Sequence, residues 1–456
     1  METIRALDAM FSPSSVAVVG ASRTPGKIGH EILKNLLSYG YKGKIYPVNP
    51  HCDEILGVRC YRSVSEVPGS IDLGVVAIPA KYVLDAIDDL GRKGAKVAAV
   101  ISSGFSEIGE HELEEELVRR ARKWGMRILG PNIFGLVYTP AKLNATFGPT
   151  EVLPGSIAFV TQSGALGIAL MGWTITEKIG LSAIISVGNK SDIEDSDLLL
   201  WLAEDENTDV ILIYMEGVKE GRRFMEVAKE VTPKKPVVVI KAGRSKRGIM
   251  AASSHTGALA GMDEVYDSAF RQIGVLRAYS VEQAFDWARA FASKRKPRGP
   301  RTVIVTNGGG AGVLATDAAE TGGLELIDPP EDLKETFRSY MPPFGSPKNP
   351  VDLTGQASHE EFEGAVRAAL EHDSVDAVIV LYCETAVTDP EKIAEAVLNA
   401  SKISNKPVSV MLMGGERSER AADFLNQSGI PAYPTPERAV GAVCAMVEWW
   451  KRTKGL

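Results

Sequence analysis

The chain has 456 residues, of which 45% are hydrophobic and 24% charged, and its formal net charge is −7. That length accommodates about three domains of ~150 residues. The acidic balance argues against a nucleic-acid partner bound by phosphate neutralisation. It does not argue against a small anion, which helix N-termini and glycine-rich turns hold without net positive charge.

The amino-terminal stretch METIRALDAMFSPSSVAVVG has neither a basic leader nor a long apolar core, so no signal peptide is expected. Short Val/Ile-rich runs follow at VAVVG (16–20), KIYPVN (44–49), LGVVAIP (73–79), KVAAVISSG (96–104) and RILGPN (127–132). Between them lie amphipathic segments such as HEILKNLLSYG and YVLDAIDDLGRKG. Apolar strands spaced by helices predict β-α-β units and a parallel sheet, hence a doubly wound domain over residues 1–140. No apolar run reaches the roughly 20 residues of a membrane span, and the four cysteines at 52, 60, 383 and 444 include no C-x-x-C pair. Reduced thiols, no metal site, no membrane and a cytoplasmic location are expected.

The remainder reads as one α/β domain written twice, over 141–296 and 297–456. SIAFVTQSGALG (156–167) matches RTVIVTNGGGAG (301–312), TDVILIYMEG (208–217) matches VDAVIVLYCE (375–384), and PVVVIKAG (236–243) matches PVSVMLMG (407–414). KRKPRGPR (294–301) reads as an exposed connector between the copies. One place differs: Gly243 to Gln272 spans 29 residues, whereas Gly414 to Gln427 spans 13. The extra 16 residues contain SSHTGALAG, with His255 at its centre. The fold does not need that insertion, since its sibling lacks it.

Three places are suited to chemistry. VAVVGASRTPGKIGHEILKNL (16–36) is a strand, a Gly/Ser turn and a helix, a layout that brings backbone N–H groups to a phosphate. It is a poor NAD fingerprint, because the glycine spacing exceeds G-x-G-x-x-G and PVNP stands where a ribose-binding acid belongs. A ligand with several phosphates, paired with Arg23 and Lys27, fits better. The second place is the pair TQSGALG and TNGGGAG, each opening a helix with small residues and so forming an anion site; close helix–sheet packing is the competing explanation. The third is His255, a nucleophile near neutral pH on an insertion rich in small residues. Glu216, ending a predicted strand, is placed to hold its other ring nitrogen, although the sibling copy carries Glu384 there.

Taken in order, GASRTPGKIG, PVNP, AIPA (77–80), SSGFSE (102–107), GPNIFG (130–135), TQSGALG, MEG, SSHTGALAG, TNGGGAG and PKNPVDLTG (347–355) resemble the α subunit of NDP-forming acyl-CoA synthetases. That group includes ADP-forming acetyl-CoA synthetase and is more distantly similar to succinyl-CoA synthetase. The resemblance covers essentially the whole chain. It implies a Rossmann-like CoA-binding domain followed by two flavodoxin-like domains, and the reaction acyl-CoA + NDP + phosphate ⇌ carboxylic acid + CoA + NTP by way of an acyl phosphate and a phosphohistidine. On this resemblance His255 carries the phosphoryl group and Glu216 steadies it. Ser163 and Gly164 hold phosphate, with Gly308, Gly309 and Gly310 at the second helix start. CoA lies against Gly20, Ser22, Arg23, Lys27, Asn49, Pro79, Ser103 and Asn132. The nucleotide and Mg²⁺ belong to a separate ATP-grasp β subunit in an α2β2 assembly. The alternative is a non-catalytic CoA-binding or sensing protein of the same fold, against which the intact histidine insertion speaks. An NAD-dependent dehydrogenase has only the first domain in its favour.

Overall fold

The apolar runs at the amino-terminal end become β1 (Ser15–Val19), β2 (Lys44–Val48), a short hairpin of β3 (Glu54–Ile55) and β4 (Val58–Arg59), then β5 (Leu73–Val76), β6 (Val97–Val100) and β7 (Arg127–Leu129). The computed structural model that shows this describes residues 2–250 and 263–454. The five main strands pair in parallel in the order β2-β1-β5-β6-β7. β1, β5 and β6 are buried along their whole lengths, which is why their sequences are apolar runs without alternation.

The second sheet contains β8 (Gly135–Tyr138), β9 (Leu143–Thr146), β10 (Pro154–Thr161), β11 (Leu181–Ser186), β12 (Val210–Met215), β13 (Val237–Lys241) and β14 (Leu276–Ala278). The third contains β15 (Arg301–Thr306), β16 (Glu325–Leu326), β17 (Val351–Asp352), β18 (Ala377–Cys383), β19 (Val408–Met413) and β20 (Ala432–Tyr433). Their central orders are β11-β10-β12-β13-β14 and β16-β15-β18-β19-β20. Numbered within each copy, both read 2-1-3-4-5, the flavodoxin-like order, with the switch point beside the first strand. The repeat seen in the sequence is thus a repeat of topology, with the short β17 added beside β15 in the second copy. The registers correct one pairing: Thr161 faces Tyr214 as Thr306 faces Leu381, so the counterpart of Glu216 is Cys383, and Glu384 stands one residue later.

The contacts divide the chain into two units, Met1–Arg277 and Ala278–Leu456. In the first unit one core cluster runs from Val16 and Leu129 through Val160 and Ile213 to Val239, so the first two sheets share an interior. The hairpin β8–β9, which straddles the expected boundary at residue 140, pairs antiparallel with β11 of the second sheet. It is tied to the helix Ile28–Ser38 by Asn35, whose Nδ2 donates to the carbonyls of Thr146 (2.8 Å) and Gly148 (2.9 Å). The helix Val281–Ala292, expected in the middle domain, falls in the second unit. There Asp286 accepts two bonds from Arg438, each 2.7 Å long, and its carbonyl accepts from the Tyr433 hydroxyl. Nor is the basic connector simply exposed: Arg295 is half-buried and donates to the carbonyls of Ser401, Ser404 and Lys406. Its guanidinium satisfies carbonyls at and just beyond the end of the helix Pro390–Ser401, which holds the connector against the domain.

Candidate active site

The strand ends of the first sheet carry every candidate CoA residue. Gly20 follows β1, Asn49 follows β2, Pro79 follows β5, Ser103 follows β6 and Asn132 follows β7. In an open α/β sheet the crevice outside these carboxyl ends, at the switch between β1 and β5, is where ligands bind. Gly20 has φ +92°, and a Cβ there would lie 2.3 Å from the Ala77 carbonyl oxygen, so only glycine fits. Asn49 locks the turn: its Nδ2 donates to the Ala21 carbonyl (2.7 Å) and its Oδ1 accepts from His51 N–H (2.8 Å). The Ser22 hydroxyl accepts from Thr24 N–H, and the exposed Arg23 reaches the His51 carbonyl at 3.3 Å. Lys27 is the N-cap of the helix Ile28–Ser38 and makes no side-chain cap bond. Ser22, Arg23 and Asn49 thus shape the turn through hydrogen bonds of their own.

Ser103 and Asn132 line a cavity of about 420 Å³ together with Gly164, Gln162 and Asn189. Its apolar wall includes Ile28, Ile133, Phe134, Phe147 and Ile168. Gly164 opens the helix Gly164–Thr176, and Ser163, its N-cap, makes no side-chain cap bond. The turn is closed from behind by Thr161, whose hydroxyl accepts from Ser163 N–H (3.2 Å) and donates to the Ser163 carbonyl (3.0 Å). A Cβ built on Gly164 meets nothing within 4 Å. Packing therefore does not require glycine here, and the space in front of the helix start is open to an anion.

The loop after β11 closes another side. A Cβ on Gly188 would sit 2.2 Å from the Pro131 carbonyl oxygen, and its φ is +49°. That close approach seats Asn189, whose Nδ2 faces Glu107 Oε2 (2.6 Å) and Glu114 Oε2 (2.9 Å). Burial works to raise the Glu107 pKa, but bonds from Asn189 and the N–H groups of Gly104 and Phe105 outweigh it and hold the carboxyl below its usual range.

Glu216 follows β12 and is buried. The Glu216 and Gly217 N–H groups both donate to Gln162 Oε1, at 2.9 and 3.2 Å. Lys190, buried and with φ +51°, donates to the Gly217 carbonyl (3.0 Å) and to Asp195 Oδ2 (2.5 Å). Burial pushes the nearby Lys241 ammonium down from its ordinary pKa, and that ammonium lies 4.5 Å over the Tyr266 ring. His255 lies outside the described residues. Gly308, Gly309 and Gly310 stand in the C-terminal unit at the start of the helix Gly309–Thr321. There the Thr306 hydroxyl closes the turn as Thr161 does in the middle copy, accepting from Gly308 N–H (3.0 Å) and donating to its carbonyl (3.1 Å).

The cavity adds Gln162, Asn189, Phe134 and Phe147 to the residues expected from the sequence; Gln162 lies inside TQSGALG and Phe134 inside GPNIFG. The signal available for Gln162 was its sibling: the repeat sets an amide, Asn307, at the same position.

The three matching families describe a chain built around CoA chemistry: a CoA binding domain over residues 14–139, a succinyl-CoA ligase like flavodoxin domain over 154–291 and a ligase-CoA domain over 302–456. Acetate–CoA ligase [ADP-forming] I subunit alpha of Pyrococcus furiosus is 60% identical, over 98% of either chain. Acetate–CoA ligase [ADP-forming] I of Archaeoglobus fulgidus is 42% identical over 98% of this chain, which spans 64% of it. Among solved structures, the dinucleotide forming acetyl-coenzyme A synthetase 1 of Ca. Korarchaeum cryptofilum, in complex with phosphate and ADP, superposes with a TM-score of 0.96. It is 52% identical, over 98% of this chain and 97% of that one. The chain belongs to the α subunits of the ADP-forming acetate–CoA ligases, a family of acid–thiol ligases. No helix among the described residues is long and apolar enough to cross a membrane.

Proposed function

We propose that the chain interconverts acyl-CoA, ADP and phosphate with a carboxylic acid, CoA and ATP, acting on acetate or a related acid, and that it works in the cytoplasm with a separate ATP-grasp β subunit. The reading is carried by the 420 Å³ cavity, in which Ser103 and Asn132 of the CoA-side strand ends share a wall with the Gly164 helix start. A thioester carbonyl and an inorganic phosphate can meet in one such place.

In the acid-forming direction a phosphate oxygen attacks the thioester carbon, the C–S bond breaks and CoA leaves with the electron pair. The Ser163 hydroxyl and the Gly164 N–H hold the attacking phosphate and the developing charge. An imidazole nitrogen of His255 then attacks phosphorus, and the bond to the acyl oxygen breaks to release the carboxylate. Glu216 accepts the other ring N–H, fixing the tautomer and stabilising the charged adduct. The phosphoryl group passes finally to ADP, which with Mg²⁺ we assign to the partner. Gly308, Gly309 and Gly310 form the second anion-holding helix start. Gly20, Ser22, Arg23, Lys27, Asn49 and Pro79 hold the rest of CoA. The domain limits 1–140, 141–296 and 297–456 and an α2β2 assembly belong to the same proposal. That this chain matches a relative named subunit alpha along 98% of its length and spans 64% of the Archaeoglobus relative supports a separate partner.

Co-expression with a candidate β chain, followed by an ATP-formation assay over a panel of acyl-CoA esters, tests the proposal. Formation of ATP that depends on acyl-CoA and phosphate is expected. CoA binding without turnover on any ester would favour a sensing protein instead.

A further inference from the structure

Gln162 and Asn307 occupy the same position in the two copies, directly after the turn-closing threonine, and differ by one methylene. The shorter Asn307 pairs with Cys383 in both directions. Its Oδ1 accepts from Cys383 N–H (2.8 Å) and its Nδ2 donates to the Cys383 carbonyl (2.9 Å). Glu384, one residue on, turns aside to its own domain: Oε2 accepts from Gly415 N–H (2.9 Å) and the Ser418 hydroxyl (2.7 Å), capping the helix Glu416–Gln427.

Thr161 lies opposite Tyr214 as Thr306 lies opposite Leu381, so Glu216 holds the place of Cys383 and Gly217 that of Glu384. The longer Gln162 accepts through Oε1 from the N–H groups of both Glu216 and Gly217, where Asn307 takes the Cys383 N–H. Lys190 holds the Gly217 carbonyl, and the Tyr266 hydroxyl accepts from Val218 N–H at 3.3 Å. The turn that carries Glu216 is therefore fixed by side chains from three separate segments. Gln162 also borders the 420 Å³ cavity and immediately precedes Ser163, so one side chain joins the anion turn to the carboxylate turn.

From this juxtaposition we infer that Gln162 is a positioning residue: by holding the N–H groups of Glu216 and Gly217 together it sets the Glu216 carboxylate for phosphoryl transfer. The inference rests on the assignment of Glu216 as the partner of His255. Its test uses the complete enzyme with its β chain, charged with radioactive phosphate and acetyl-CoA, and follows the lifetime of the phosphoenzyme. Gln162→Asn, which by the Asn307 geometry gives up the Gly217 N–H, is expected to shorten that lifetime about tenfold while the KM for phosphate moves less than about twofold, because the Ser163 hydroxyl and the Gly164 N–H are untouched. Gln162→Met, which keeps the length without the acceptor, should do the same, and both variants should melt as the parent does. Glu216→Gln should match the effect, and Gln162→Asn added to it should change nothing further. Asn307→Gln should leave the lifetime alone. A full Glu216→Gln effect with an unchanged Gln162→Asn lifetime, or effects that simply add, would overturn the positioning role alone. An unchanged Glu216→Gln lifetime would overturn the Glu216 assignment, and this inference with it.

Discussion

The middle and C-terminal flavodoxin-like domains have the same strand order, the same threonine-closed turn before the first helix and a glutamate after the third strand, one position later in the C-terminal copy. They use these parts differently. In the C-terminal copy Glu384 caps a helix of its own domain, and bonds from Ser418 and the Gly415 N–H hold its carboxyl below the usual range. In the middle copy Glu216 is buried beside a turn built by Gln162 and Lys190. The residue before the helix differs too: Ser163 stands where the C-terminal copy has Gly308, at which a Cβ would lie 2.8 Å from Cys383 Sγ, whereas Gly164 and its counterpart Gly309 both have room for a Cβ. The topology thus fixes where chemistry can be placed, and a few side chains decide what each copy does with that place.

Substitutions can break this contrast at several points. Gly164→Asp should have the largest effect, because the open space accepts the side chain and its carboxylate takes the anion's position at a favourable helix start. About a hundredfold loss in kcat/KM for phosphate is expected with little change in melting temperature, measured by kinetics and calorimetry. Glu216→Gln should cut the phosphohistidine lifetime about tenfold, while Glu384→Gln should leave it unchanged and cost less than about 1 kcal/mol, as for a lost helix cap. Gly308→Ala should cost about 1–2 kcal/mol by overpacking against Cys383, seen as a lowered denaturant midpoint.

The smallest expected effect belongs to the loop that seats Asn189 in the middle copy. The Glu107 carboxyl is held below its unfolded pKa of about 4.3. Its contribution is therefore complete above that pH and is lost as pH falls through the lower folded value. The melting temperature should fall more gently with acidification below about pH 4.5 in Glu107→Gln than in the parent.

Much of this was legible in the sequence because it is periodic or repeated. Apolar runs buried on both faces gave the parallel strands, and the pairing of TQSG with TNGG gave the two helix starts. What was not legible depends on distances across the fold. The Gln162 bonds join residues 54 and 55 positions apart. Asn189 reaches back 75 and 82 residues to Glu114 and Glu107. The shared interior of the first two sheets, and the hairpin that crosses the expected boundary at 140, arise from packing that no local pattern encodes. KRKPRGPR reads as a solvated link by composition, yet Arg295 finds three carbonyls.

The most direct measurement is to incubate the αβ enzyme with radioactive phosphate, acetyl-CoA and Mg²⁺ without ADP, and to locate the label by peptide mapping. The account predicts an acid-labile, base-stable label on His255 that is abolished in His255→Ala. Label on another residue, or label retained by the alanine variant, would contradict it.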